Sequence, residues 1–166
     1  MNEKLHENID KNYLYKQTIK QMESLIDPTL PLVTNLSNAS ALLNEVLEDI
    51  NWVGFYLLKE EILLLGPFQG KVACTKIALG KGVCGTAAKE ARTQVVEDVH
   101  QFPGHIACDS ASNSEIVVPI IIDNKVVGVL DIDSPNFSRF DEQDKEGLET
   151  IIEVVEKQCD WSVRIV

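Results

Sequence analysis

Cys74, Cys84 and Cys108 lie in the middle of the chain, ten and twenty-four residues apart. The last is embedded in His105-Ile106-Ala107-Cys108-Asp109-Ser110, just before the apolar run Glu115 to Pro119. These spacings are too wide for the CxxC pairs of a structural zinc site, and the strand-like alternation around them is unlike a disulfide-stapled scaffold. Such cysteines are either inert core residues or reactive ones. Cys108 is the best nucleophile candidate, because a polar loop gives no packing reason to keep a thiol. Cys84 follows the Gly80-Lys81-Gly82 turn and falls near a helix start. There it is either a small buried side chain or a thiol whose pKa the helix dipole lowers. Cys74 lies in a strand-like run, where a cysteine also serves as compact apolar filling. The order of action stays open, since Asp109 would raise the pKa of Cys108 while the helix start would lower that of Cys84. Cys159, between Gln158 and Asp160, reads as structural.

Acids and aromatics accompany the thiols. Glu115, Asp131 and Asp133 stand at the ends of apolar runs, and Asp131 and Asp133 share one strand face. They are either solvated strand-end acids or a joint site for an ammonium group. Trp52 and Tyr56 also share a face; they either fill the core or line a pocket for a methyl or sulfur group. His100 and His105 have no paired ligand spacing and read as loop residues. The glycines around Lys81 lack the full phosphate-loop pattern and are better suited to a tight strand-to-helix turn.

The elements that must position these groups follow from periodicity. Apolar residues at three- and four-residue steps predict a helix over 13–26, stopped before Pro28, and a second from Leu36 to about Asn51. Trp52–Leu58 and Ile62–Phe68 form a predicted hairpin about Lys59-Glu60-Glu61. A strand over 73–79, a helix from Val83, a strand over 93–99 and a loop over 100–114 follow. Residues 116–122 and 126–132 pair about Asp123-Asn124-Lys125, and a last helix is capped by Asp141. The fold class expected is α+β: an antiparallel sheet with the N- and C-terminal helices packed on one face and a loop-covered pocket on the other.

With 166 residues and 45% apolar content the chain is sized for one domain over 1–166, with 1–11 as a flexible lead. A net charge of −11 with no basic stripe argues against a nucleic-acid partner. No secretory leader and no apolar run near the roughly 18 residues of a membrane span are visible, so a soluble, cytoplasmic protein without a membrane partner is expected. In that compartment a disulfide is transient, catalytic or redox-sensing.

The segments Asn51-Trp52-Val53-Gly54-Phe55-Tyr56, Gly66-Pro67-Phe68-Gln69-Gly70, Gly82-Val83-Cys84-Gly85, Phe102 to Asp109, Ser114 to Pro119 and Gly128 to Ser134 together resemble the free methionine-(R)-sulfoxide reductases, which are single GAF domains. The resemblance covers nearly the whole chain and includes all three central cysteines. It implies that Cys108 is the catalytic thiol, that Cys84 resolves it, and that Cys74 is an additional or alternative resolving thiol. Cys108 would attack the sulfoxide sulfur, giving methionine and a sulfenic acid that condenses to a disulfide. Glu115, Asp131 and Asp133 would hold the amino group and help place or protonate the oxygen, and Trp52 and Tyr56 would receive the methyl-sulfur end. The resemblance further implies thioredoxin or another dithiol as external reductant, no bound metal or organic cofactor, and a homodimer. The rival readings are a GAF small-ligand sensor and a redox sensor without catalysis.

Overall fold

The computed structural model describes residues 10–105, 108 and 110–163. Most of the expected lead lies outside these residues, but its last two positions do not. Asp10 accepts from the Asn12 backbone and caps α1 (Lys11–Leu25), and Lys11 reaches Asp144 at 2.7 Å and Asp141 at 2.9 Å. Asp10 and Lys11 are therefore part of the helix start rather than of a flexible lead.

Helix α2 (Leu32–Val46) starts just after Pro31 and stops earlier than its periodicity predicts. Leu47 turns extended and Asp49 takes φ 56°, so the chain leaves the helix axis before entering the sheet. The hairpin β1 (Trp52–Lys59) and β2 (Ile62–Gly70) follows as expected, then the short β3 (Lys76–Ala78), α3 (Gly82–Glu90) and β4 (Gln94–Val96). After a turn of 3-10 helix come β5 (Ser114–Ile122) and β6 (Lys125–Ser134), joined through Asp123 and Asn124, both at positive φ as a tight hairpin requires. Helix α4 (Glu142–Gln158) opens with the predicted Asp141 cap, reinforced by the Asp141 backbone N–H donating back to the Asp144 side chain.

All six strands pair antiparallel in the order β3-β2-β1-β6-β5-β4. Pro119 interrupts nothing, because β4 covers only Glu115 to Val117 and leaves the outer side of β5 open beyond. Strand alternation divides the sheet into two faces. Val53, Phe55, Leu57, Ile116, Val118, Ile120, Leu130 and Ile132 face the larger core, which α1, α2 and α4 complete with Tyr15, Leu36, Leu43, Leu148 and Ile151. Trp52, Tyr56, Val117 and Val129 point the other way into a smaller core under α3. The chain is thus an α+β domain, with α3 and the connecting loops over the second face.

Candidate functional site

The second face holds the site because its strand positions fall in register. Trp52 pairs with Asp133, Gly54 with Asp131 and Tyr56 with Val129 across β1 and β6. On the other side of β6, Glu115 pairs with Asp133 and Val117 with Asp131. Three carboxylates and two large aromatics are thereby brought onto one patch of sheet, as spacing predicts for Asp131 with Asp133 and for Trp52 with Tyr56, while register adds Glu115.

A pocket opens over this patch. Trp52, Tyr56, Glu115, Asp131 and Asp133 form its sheet side, Lys81 to Cys84 enter from the start of α3, and Val72, Ala73, His105, Cys108 and Ser112 come from loops. Gly54 leaves room between the aromatics: a Cβ there would lie 2.8 Å from Trp52 Cη2 and 2.3 Å from Phe68 Cβ. The Trp52 ring stacks on Phe68 at 5.2 Å and on Tyr56 at 5.9 Å between centroids. The aromatic wall is therefore packed from behind by β2 and is rigid.

Cys84, Glu115 and Asp131 are all buried, and their donor atoms lie within 4.8 Å of one another, with the Cys84 Sγ 3.9 Å from Glu115 Oε1. Such a group of donors can enclose a cation. Among the described residues the buried Asp131 Oδ1 has no hydrogen-bond partner, a costly state unless a ligand supplies a donor. Burial, followed by the charges of Asp131 and Asp133, drives the Glu115 pKa well above the usual carboxylate range, and burial also raises that of Asp131. The pocket is poised to exchange these protons for a bound positive charge.

Cys108 forms a disulfide with Cys74, whose Cα is 5.5 Å away. Cys74 belongs to the segment between β2 and β3, which crosses the pocket mouth. The sequence expectation paired Cys108 first with Cys84 and kept Cys74 as an additional partner; the bonded partner here is Cys74, and Cys84 is a buried free thiol. Of the two readings open for Cys84, the small buried side chain is the one the structure matches. The residue does sit in the first turn of α3, but burial comes first and the charges of Asp131 and Glu115 second, and both push the thiol pKa up. Full desolvation beside two carboxylates outweighs a half-charge dipole. The tension expected from Asp109 falls on a residue outside those described, as do Ile106 and Ala107. Cys159 is buried in the larger core and raised to about 11 by desolvation, in keeping with a structural role.

His105 is a site residue that its sequence spacing did not reveal. It lines the pocket, half-buried, and burial followed by His100 lowers its pKa, which keeps the ring neutral at pH 7. Its position three residues before Cys108 was the available signal. Lys81, which the sequence places in a tight turn, also lies at the pocket, beside a first turn of α3 that has no side-chain cap among the described residues. Helix starts of this kind suit an anion.

The GAF domain family pattern matches residues 38–156. The free methionine-R-sulfoxide reductase of Escherichia coli (strain K12) is 50% identical over 149 residues, covering 90% of each chain. The structure of fRMsr of Staphylococcus aureus in complex with substrate superposes with a TM-score of 0.83 at 60% identity, over 87% of this chain and 94% of that one. The free methionine-R-sulfoxide reductase of Neisseria meningitidis, also solved with its substrate, gives 0.86 at 45% identity over 90% of each chain.

Proposed function

Since the chain belongs to the GAF domain proteins and, within them, to the free methionine-R-sulfoxide reductases, we propose that it reduces free methionine (R)-S-oxide to methionine through Cys108. The observation that carries this reading is the Cys74–Cys108 disulfide in the wall of a pocket lined by Glu115, Asp131 and Asp133. A redox bond and a cation-binding floor within one small cavity suit a substrate with a reducible group and an ammonium.

In the reduced protein the Cys108 thiolate attacks the sulfoxide sulfur. The oxygen takes up a proton, the sulfur–oxygen bond breaks in favour of the cysteine, and methionine leaves with Cys108 as a sulfenic acid. The acid cluster, protonated in the empty pocket, supplies that proton and holds the ammonium once charged. The uncapped start of α3 with Lys81 receives the carboxylate, and Trp52 and Tyr56 receive the methyl-sulfur end. The Cys74 thiol then displaces water from the sulfenic acid to form the disulfide. An external dithiol, thioredoxin in this reading, returns both sulfurs to thiols by exchange. Cys84 remains a thiol throughout, which revises the resolving role expected for it.

Selectivity for the free amino acid follows from the buried acids. A peptide-bound sulfoxide offers an amide where the cluster needs a cation, so the acids stay protonated and the ion pair that would hold the substrate is not made. The deciding assay couples NADPH consumption to thioredoxin reductase and thioredoxin with limiting racemic methionine sulfoxide. Consumption that ends near half of the racemate, with a peptide-bound sulfoxide untouched, supports the reading. No methionine from either substrate overturns it and leaves a redox or ligand sensor.

A further inference from the structure

Cys74 has no regular element of its own. It sits in residues 71–75, a strap between β2 and β3 whose Val72 is 90% exposed. Three hydrogen bonds hold the strap by its carbonyls. The Leu65 N–H reaches Thr75 O at 3.0 Å, the Trp52 Nε1–H reaches Lys71 O at 3.1 Å, and the Tyr56 hydroxyl donates to Cys74 O at 2.8 Å. Two of the three donors come from the pocket's aromatic wall, and one of them grips the backbone of the bonded cysteine itself.

We propose that Tyr56, assisted by Trp52, is a positioning residue for the second chemical step, holding Cys74 where its thiol meets the Cys108 sulfenic acid. The proposal rests on the reductase reading above. Both rings are anchored: Tyr56 and Trp52 are nearly fully buried, and Trp52 is stacked on Phe68. Two of the three hydrogen bonds described on the strap's carbonyls come from these rings. Disulfide closure is an intramolecular reaction, so its rate follows the fraction of time the thiol spends within reach of its partner. A hydroxyl fixed on a rigid strand raises that fraction by restricting the Cys74 backbone. The closing step forms the S–S bond and releases the sulfenic oxygen as water, with the proton coming from the Cys74 thiol. The same ring that shapes the pocket thereby also sets the rate at which the enzyme leaves its sulfenic state.

The test is Tyr56→Phe, which keeps the ring and removes the donor, with Trp52→Phe as a second variant. Because Tyr56 also lines the substrate pocket, the first methionine formed without external reductant is recorded separately, and closure is compared from the sulfenic acid onward. Closure of the disulfide, followed by loss of free thiol, is expected to slow about five- to tenfold, the effect of one hydrogen bond. A dimedone-type probe should trap correspondingly more sulfenic acid on Cys108. Trp52→Phe should slow closure by a smaller factor. Closure is also measured after oxidation by hydrogen peroxide, which makes the sulfenic acid without substrate. If wild type makes no methionine, the reductase reading fails while the peroxide arm still reports on Tyr56. Wild-type closure from the peroxide-made sulfenic acid in Tyr56→Phe overturns the positioning role.

Discussion

Glu115 and Asp133 face one another directly across the β5–β6 ladder, a pair position where like charges are destabilising. Asp131, on the same face, adds a third carboxyl to the patch. The arrangement is tolerated because burial raises the Glu115 and Asp131 pKa values and keeps protons on the cluster. An ammonium entering the pocket reverses that balance by favouring the ionised acids. Binding of methionine sulfoxide at neutral pH is therefore expected to release protons. Calorimetry in buffers of different ionisation enthalpy checks this, and an enthalpy independent of buffer contradicts it.

The same shift has a stability consequence. A carboxyl whose folded pKa lies above its unfolded value binds more protons when folded, so its contribution is fully present below the unfolded pKa, near 4.3 for Glu, and is lost as pH rises through the raised folded value. Glu115→Gln removes that loss. Its melting temperature should gain on wild type as pH is raised from 5 to 9, while its affinity for the sulfoxide falls about tenfold or more. A difference between the two proteins that does not change with pH would count against the raised pKa.

The three central cysteines should separate cleanly. Cys108→Ser is expected to abolish turnover, and Cys74→Ser to give about one methionine per chain before stalling with a trappable sulfenic acid. Cys84→Ser should keep most of its thioredoxin-linked turnover, because its thiol is buried, protonated and outside the disulfide. Product counting with and without reductant distinguishes them. A stalled Cys84→Ser beside an active Cys74→Ser would restore the order expected from the family.

Asp144 ties the two terminal helices together. Nearly fully buried, it accepts from the Tyr15 hydroxyl at 2.7 Å, from Lys11 at 2.7 Å, from the Asp141 backbone at 2.9 Å and from Arg139 at 3.3 Å. Asp144→Ala leaves these donors unmatched and should cost about 3–5 kcal/mol. Tyr15→Phe should cost about 1 kcal/mol. Denaturant unfolding measures both, and equal effects would argue against the network.

Gly54 is the least replaceable residue of the aromatic wall. A Cβ would sit 2.3 Å from Phe68 Cβ and 2.8 Å from Trp52 Cη2, so the Trp52 ring must shift. Gly54→Ala is expected to cost about 1–3 kcal/mol of stability. The displaced ring should also weaken sulfoxide binding, read as a raised KM.

Sequence reasoning reached the sheet, its hairpins and the partition of Trp52, Tyr56, Asp131 and Asp133 onto one face, because alternation is a local property of a strand. Glu115 joined them only through register with β6, which its place at a strand end hinted at. What stayed hidden depended on three-dimensional distance. Nothing in the spacing of Cys74, Cys84 and Cys108 distinguishes which pair can approach to 5.5 Å. The sequence left Cys84 open between a buried side chain and a dipole-activated thiol because the helix start is visible in it, whereas desolvation beside Glu115 and Asp131 is not. Helix α2 ran short for a similar reason: its apolar spacing continues through Leu47 and Ile50, but the backbone turns at Leu47 to meet β1.

The pairing of Trp52 with Asp133 also sets a timetable for synthesis. The aromatic wall is translated some eighty residues before the last acid of the pocket, and β1 finds its central neighbour β6 only after β3, α3, β4 and β5 have been made. A chain still growing on the ribosome can form the β1–β2 hairpin, but it exposes Trp52, Tyr56 and the opposite apolar face of β1 until β6 arrives. Such long-range closure is slow and leaves a sticky intermediate. Cys108 is made before β5 and β6, so Cys74, Cys84 and Cys108 coexist as thiols on a chain whose sheet has not yet closed, and correct sulfur pairing depends on folding finishing first.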